Sequence, residues 1–301
     1  MIKRIIKGIF RRFRNAVYFF ISWEKNGNEV LRKKIKLFEL FNLIPEIHSN
    51  KQEIIVSLTT YGERFFEVHY TLFSLFRQSI KPDKIVLWLD ENEFIPEQIS
   101  NDKYLSKYIK KGLEVNYCKN YRSYKKFVPT LNKYPDSTII ICDDDAYYNK
   151  NWLNLLLTEH KNYPNEILCH VGTRIAVETS KVLPYKVWKN VFDNAFGKDI
   201  VPIGVGGTLL KKSFFHSDIC DDSLFAKLSK NTDDLWLWTQ AVLNNTEVRV
   251  INNCLSYPKN FGEDRDYQKL YIENAKTGND LSIDNLISYY PKLKEMLNIN
   301  L

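Results

Sequence analysis

Three consecutive aspartates, Asp143-Asp144-Asp145, directly follow the β-rich apolar run Thr138-Ile139-Ile140-Ile141-Cys142. In an extended strand end, residues i and i+2 share a face, so Asp143 and Asp145 can address one ion. Two carboxylates plus waters suit a hard divalent cation, Mg2+ or Mn2+, which also takes phosphate oxygens. Such an ion neutralises the charge that develops on a departing nucleoside diphosphate. The competing reading is an acidic turn ahead of the helix that starts near Lys150. Two further constellations stand out. Gly204, Gly206 and Gly207 suit either a tight turn or close backbone approach to a ligand. Thr232-Asp233-Asp234 opens a helix, where Thr232 or Asp233 could serve as N-cap and acids favour the positive end.

The elements that must position these residues alternate. Ile54-Ile55-Val56-Ser57-Leu58-Thr59 reads as a strand. Glu67 to Gln78 has helical spacing, with Val68, Leu72, Leu75 and Phe76 on one face. Ile85 to Leu89 is a second buried strand ending in Asp90, and Leu113 to Tyr117 alternates. Phe127 to Tyr134 is helical, Thr138 to Cys142 is a strand, and Trp152 to Lys161 is a helix. Further on, Ile167 to Val171 and Val248 to Ile251 read as strands and Asp233 to Leu243 as a helix. This alternation predicts a largely parallel α/β sheet. Ligands of such sheets bind beyond the carboxyl ends of the strands. Thr59-Thr60, Asp90 and Asp143–Asp145 all lie at such ends.

Composition bounds the rest. The 301 residues are 44% hydrophobic, 26% charged and 14% aromatic, as in a folded globular domain. A net charge of +7 is compatible with anionic partners. No nucleic-acid-binding motif accompanies it, and no nucleic-acid partner is expected. The five cysteines are widely spaced and form no C-x-x-C pair, which argues against a disulfide framework or zinc site and suits a reducing cytoplasm. The histidines form no H-E-x-x-H spacing, and His170 reads as a satisfied core residue. P-loop and G-x-S-x-G patterns are absent. Residues 1–23 place Ile2, Ile5, Ile6, Ile9, Phe10, Phe13 and Val17 at helical spacing. Lys3, Arg4, Lys7, Arg11, Arg12 and Arg14 occupy most positions between them. Their longest uncharged run falls short of the ~20 apolar residues that span a bilayer. The pattern predicts either a basic amphipathic helix on an anionic membrane surface or a solvated helix packed on the domain.

At this point the chain resembles a family. Thr138 to Trp152, TIIICDDDAYYNKNW, is similar to the D-x-D segment of nucleotide-sugar glycosyltransferases of the GT-A fold, nearest to bacterial family-2-like members. Ile55 to Phe65 is similar to their first strand and donor loop, and Gln78 to Leu89 to their second strand. Tyr124 to Pro135 resembles the lysine-bearing helix before the D-x-D strand. The resemblance covers about residues 53–253, with a weaker echo at Gly278-Asn279-Asp280.

The resemblance implies a GT-A (Rossmann-like) α/β domain over residues 51–260, a basic helical extension over 1–50 and a helical tail over 261–301. It implies that Thr59, Tyr61 and Arg64 hold the nucleoside, and that Lys126 faces the diphosphate. Asp143 and Asp144 would contact the donor, Asp143 through the ribose as well. Asp90 corresponds in place to an acid that contacts the base, although Trp88-Leu89-Asp90-Glu91 departs from the D-D-G-S pattern. Mn2+ or Mg2+ would sit on Asp143 and Asp145. Asp233-Asp234 matches an acidic pair of which one member, Asp234 in preference, is general base for the acceptor hydroxyl. The expected activity is transfer from a nucleotide-sugar to a saccharide or lipid-linked acceptor, with inversion, in surface polysaccharide or glycolipid synthesis. The expected location is cytoplasmic, peripheral on the inner face of the membrane. Two other readings stay open: a non-catalytic membrane-associated binder of nucleotide-sugars, and a sugar-phosphate or nucleotidyl transferase on the same fold.

Overall fold

The computed structural model describes residues 27–178, 181–192, 194–251, 259–260 and 277–297. The basic N-terminal segment 1–23 and Cys254 lie outside the described residues. The chain divides into two compact units at Ile44/Pro45. In the first unit, helix α1 spans Gly27–Leu40 and carries an exposed Glu29–Lys33 pair at 2.6 Å, one helical turn apart.

The second unit begins as the alternation predicts. Strand β1 (Ile54–Thr59) is followed by α2 (Val68–Phe76), and β2 (Lys84–Asp90) by the short helices α3 (Pro96–Asn101) and α4 (Leu105–Lys110). Next come β3 (Leu113–Cys118), α5 (Val128–Lys133), β4 (Thr138–Ile141), α6 (Trp152–Asn162), β5 (Ile167–Cys169), β6 (Phe196–Gly197) and β7 (Thr208–Leu210). Helices α7 (Asp222–Leu228) and α8 (Asp233–Leu243), strand β8 (Val248–Val250), and helices α9 (Asn279–Tyr289) and α10 (Lys292–Met296) complete it. The eight strands form one sheet in the order β6-β8-β5-β7-β4-β1-β2-β3.

Strands β3, β2, β1 and β4 run parallel, and β8 is parallel to β5. Strand β7 is antiparallel to both neighbours, with Thr208 opposite Ile141 and Cys169. That reversal matters for the site. It brings the loop entering β7, Ile203 to Gly207, to the same rim as the carboxyl ends of β1, β2 and β4. A small antiparallel sheet (Lys189–Val191, Gly172–Arg174 and Ile200–Pro202) leads directly into that loop.

The core is continuous from the sheet into α8. Trp236 and Trp238 are fully buried with Phe127, Ile139, Ile167, Leu210 and Val248, and Ile283, Leu286 and Leu293 of α9 and α10 join the same cluster. Burying several such side chains contributes roughly 1.5–3 kcal/mol each relative to exposure. Cys118, Cys142, Cys169 and Cys220 are free thiols, and burial pushes the Cys142 and Cys169 thiols up, away from the reactive thiolate. Among the described residues no helix is long and apolar enough to cross a membrane.

Two local readings differ from the periodicity. All nine residues of α2 are buried, not one face of it. Its polar residues are satisfied internally: Thr71 Oγ1 lies 2.7 Å from the Asp144 carbonyl and 2.9 Å from that of Ala146, and Ser74 Oγ accepts the Tyr148 N–H at 3.1 Å. Strand β4 also stops at Ile141, and Asp144-Asp145 form a turn. Strand alternation therefore does not carry through the aspartates, because the carbonyls that would continue the ladder turn inward onto Thr71.

Candidate functional site

The aspartate turn is held from beneath and from both sides. Thr71 fixes its carbonyls, as above. Tyr148, fully buried, accepts the Asp143 N–H at 3.0 Å and donates its hydroxyl proton to the Val205 carbonyl at 3.1 Å. Trp152 Nε1 donates to the Gly206 carbonyl at 2.7 Å, and His170 Nε2 bonds the Trp152 carbonyl at 3.0 Å. His170 is a core residue, as the sequence suggested, but only its Nε2 is bonded; Nδ1 is buried without a partner among the described residues. Burial pushes its pKa down to about 4. The Asp143 turn and the glycine loop thus share a buried hydrogen-bonded frame, which fixes their spacing.

The charged side chains project above this frame. The Arg64 guanidinium forks across two carboxylates, 2.8 Å from Asp144 Oδ1 and 3.0 Å from Asp145 Oδ2. Burial works to discharge Arg64, but Asp144 and Asp145 outweigh it and hold the group above its usual range. Lys126 Nζ lies 2.9 Å from Asp143 Oδ1 and 2.9 Å from Asp233 Oδ2, the second an ion-pair contact off the hydrogen-bond axis. Burial again opposes the charge, and Asp143, Asp233 and Asp234 together hold the ammonium protonated well above the usual lysine range. Asp234 Oδ1 accepts the Gly204 N–H at 3.1 Å. Its residue surface is partly open, but its carboxyl is enclosed by protein atoms, and burial first, then Asp233, push its pKa well up. Burial and then Asp144 likewise raise Asp145.

Five carboxylates from two distant segments therefore meet on one rim, while only Arg64 and Lys126 stand within ion-pair distance of them among the described residues. The Asp144 Oδ2 atom is buried without a hydrogen-bond partner. This excess of hard oxygen donors fits a divalent cation. The side chains do not converge as a ready-made cage: Asp143 turns to Lys126 and Asp145 to Arg64. Among the described residues no three acidic, histidine or cysteine side chains group as cation ligands.

The remaining sequence-predicted residues lie on the β1–β2 side of the same rim. Thr59 Oγ1 donates to the Trp88 carbonyl at 2.9 Å. Tyr61 is exposed, with the Arg64 guanidinium carbon 5.4 Å from its ring centroid. Asp90 is buried and accepts the Asn92 N–H at 2.9 Å, so part of its capacity serves its own turn. The Gly62 N–H donates to Glu93 Oε1 at 2.6 Å and ties the first loop to the second.

Thr232 stands at the N-cap position of α8, without a capping hydrogen bond from its side chain. That side chain bonds Ser229 Oγ at 2.5 Å, and Asp233 is the first residue of α8, aimed at Lys126. Lys126 itself belongs to a 3-10 turn, Arg122–Lys126, ahead of α5. Residues passed over in the sequence include Thr71, Tyr148 and Lys125. Lys125 is buried too; burial lowers its pKa, and Asp90 is the charge that opposes this most. A usable signal for Tyr148 is its place five residues after Asp143; Thr71 carries none, because a buried threonine in a helix reads as packing.

No protein-family model matches the sequence, and no curated protein does. Solved structures do. The mannosyltransferase PcManGT from Pyrobaculum calidifontis, in complex with GDP-Man and Mn2+, superposes with a TM-score of 0.51 at 9% identity, over 86% of this chain and 73% of that one. S. aureus TarS 1-349 gives 0.47 at 16% identity, over 83% and 76%. A 4-diphosphocytidyl-2C-methyl-D-erythritol synthase gives 0.44 at 12%, over 74% and 97%. The large, mostly parallel sheet flanked by helices and the first of these superpositions agree: the chain has the GT-A, Rossmann-like α/β fold.

Proposed function

We propose that the chain is a glycosyltransferase that moves a sugar from a nucleotide-sugar donor to a hydroxyl of a saccharide or lipid-linked acceptor, in surface polysaccharide or glycolipid synthesis. The observation that carries this reading is the meeting of Asp143–Asp145 with Asp233–Asp234 across Lys126 at the carboxyl ends of the strands. A binder of nucleotide-sugars needs the first set only; a transferase needs an acceptor-side carboxylate as well.

Asp143 and Asp145 are the residues that would hold Mn2+ or Mg2+, and the ion would offset charge on the leaving diphosphate. Thr59, Tyr61, Arg64 and Asp90 border the nucleoside, Asp144 stands on the diphosphate side, and Lys126 is held between Asp143 and Asp233. The acceptor oxygen attacks the anomeric carbon, the bond from that carbon to the diphosphate oxygen breaks, and Asp234 receives the acceptor proton. Burial and Asp233 raise its affinity for a proton, and the Lys126 charge and the Gly204 N–H work against that rise in favour of the carboxylate. One displacement inverts the anomeric centre. A basic segment at residues 1–23 would bring the enzyme to an anionic membrane face.

The test is a panel of nucleotide-sugars scored for Mn2+-dependent thermal stabilisation, followed by mass spectrometry of saccharide acceptors incubated with the stabilising donor. A mass increase of one glycosyl unit is the expected result. Stabilisation with no transfer to any acceptor, and no donor cleavage, would favour the binder; absence of any nucleotide-sugar binding would remove the reading altogether.

A further inference from the structure

Lys126 does more than add positive charge. Its side chain is almost wholly enclosed, and its one ammonium contacts a carboxylate from the β4 end and another from the first turn of α8. The backbone that carries it is pinned from two directions. Thr130 Oγ1 bonds the Lys126 carbonyl at 3.3 Å and is itself bonded to Ser57 Oγ and Trp88 Nε1, both at 2.8 Å. Tyr124, stacked on Phe225 with ring centroids 4.1 Å apart, donates its hydroxyl to the Ser229 carbonyl just ahead of α8. Gly204 closes the fourth side. A Cβ there would stand 2.6 Å from Lys126 Nζ, 3.2 Å from Asp143 Oδ1 and 3.3 Å from Asp234 Oδ1.

We propose that Lys126 is a positioning residue that couples the donor half of the site to the acceptor half, its ammonium setting the separation of Asp143 from the Asp233-Asp234 pair under the roof of Gly204. Without that bridge, carboxylates from two segments face one another unscreened, and among the described residues the start of α8 is tied to the aspartate turn only indirectly, through Gly204 and Tyr148. The idea rests on the transferase reading for its kinetic consequence and on geometry alone for its structural one.

Both consequences are measurable. In the full chain, Asp143→Asn and Asp233→Asn each break the same bridge, so their effects on melting temperature are expected to be non-additive. In a Lys126→Met background either substitution should raise the melting temperature or leave it unchanged, because it then removes an unpaired charge. This readout needs no activity, and additive losses in the wild-type background overturn the bridge even if no transfer is ever found. In turnover, Lys126→Met and Gly204→Ala, the latter retaining every charged group, should each lower kcat by tenfold or more while the Kd for nucleoside diphosphate with Mn2+ stays within about threefold. A Gly204→Ala enzyme with wild-type kcat, or a Lys126→Met enzyme whose Kd rises in step with its loss of kcat, overturns positioning; the second result would make the ammonium a direct ligand of the donor.

Discussion

Gly207 lies against the indole of Trp152. Its φ of +89° is a backbone conformation that L side chains rarely adopt, and a Cβ on it would stand 2.3 Å from the indole ring. The glycine loop and the helix after the aspartates therefore meet without a side chain between them, and the indole N–H can reach the Gly206 carbonyl.

Gly207→Ala should therefore destabilise the protein by about 1–3 kcal/mol through backbone strain, and by more if the indole cannot move aside. Trp152→Phe removes the hydrogen bond while keeping most of the ring and should cost about 1 kcal/mol plus packing loss. Denaturant midpoints compare the two; equal stability of Gly207→Ala and wild type would show that the loop re-forms freely.

Arg64 holds two carboxylates, one of them 5% exposed. Arg64→Met leaves both without a counter-charge and should lower stability by several kcal/mol, on the order of 3–5 for a broken buried pair. Arg64→Lys should recover only part of this, since an ammonium cannot fork across Asp144 and Asp145 as a guanidinium does. Added Mn2+ should raise the melting temperature of Arg64→Met more than that of wild type, because the ion supplies the missing charge.

Asp234→Asn keeps the shape of the side chain and removes the proton acceptor, so kcat should fall by about 10²–10⁴ with donor affinity little changed. Asp233→Asn weakens the Lys126 contact and should lower melting temperature as well as turnover. Steady-state kinetics with calorimetry separate them. Full loss of kcat in Asp233→Asn alone would exchange the two assignments.

Against Asp145 and Asp234, whose raised affinity for a proton favours the fold as pH falls, two groups away from the aspartate rim should cost stability on acidification in separate steps. The first belongs to His170, whose burial lowers its pKa to about 4 from an ordinary value near 6.5. A histidine kept neutral in the fold takes up a proton more readily when unfolded, so its contribution is present above about pH 6.5 and is lost as pH falls toward 4. His170→Gln should flatten the stability curve in that window, and a curve unchanged there would show that the imidazole is not the group responsible.

The second step belongs to Glu114 on β3. Burial alone would raise its pKa, but hydrogen bonds from Lys133, Asn116 and Tyr134, with the Lys133 charge, bring it down to about 2. A carboxylate depressed in the fold stabilises above its unfolded value, and that contribution disappears as pH falls from about 4 to about 2. Glu114→Gln should lose about 1–3 kcal/mol at pH 7 and approach wild type near pH 2. A constant difference between the two proteins across that range would contradict the pairing.

Much of the fold is legible before any coordinate, because periodicity reports which face of an element is buried. The strands at Ile54, Ile85, Leu113 and Thr138 and the helix Asp233–Leu243 lie where apolar spacing puts them. The rim that gathers Thr59, Asp90 and the aspartates is likewise implied by alternating strands and helices. What periodicity misses is the reversed strand β7, since an apolar triplet carries no direction along the chain. It also misses pairing. Nothing in the spacing of Lys126 and Asp233 tells that one ammonium reaches both Asp143 and Asp233, and adjacent lysines 125 and 126 look alike in the sequence though only Lys126 stands within ion-pair distance of both. Apolar spacing puts Val68, Leu72, Leu75 and Phe76 of α2 on one buried face; Thr71 and Ser74 are buried as well because their hydroxyls are consumed by the backbone after the aspartates, a demand that is not local.

Strand β4 lies between β1, which precedes it, and β7, which follows it by some 70 positions. On a ribosome the aspartate strand can pair with β1 as soon as residue 141 emerges, but its other edge stays bare until Thr208–Leu210 are made. At about 5–20 residues per second that interval lasts several seconds. An apolar edge of Ile139, Ile140 and Ile141 is then open to another nascent copy. Slow translation between these positions, or a chain truncated before β7, should favour aggregation over a soluble intermediate, and the charged partners on α8 arrive later still.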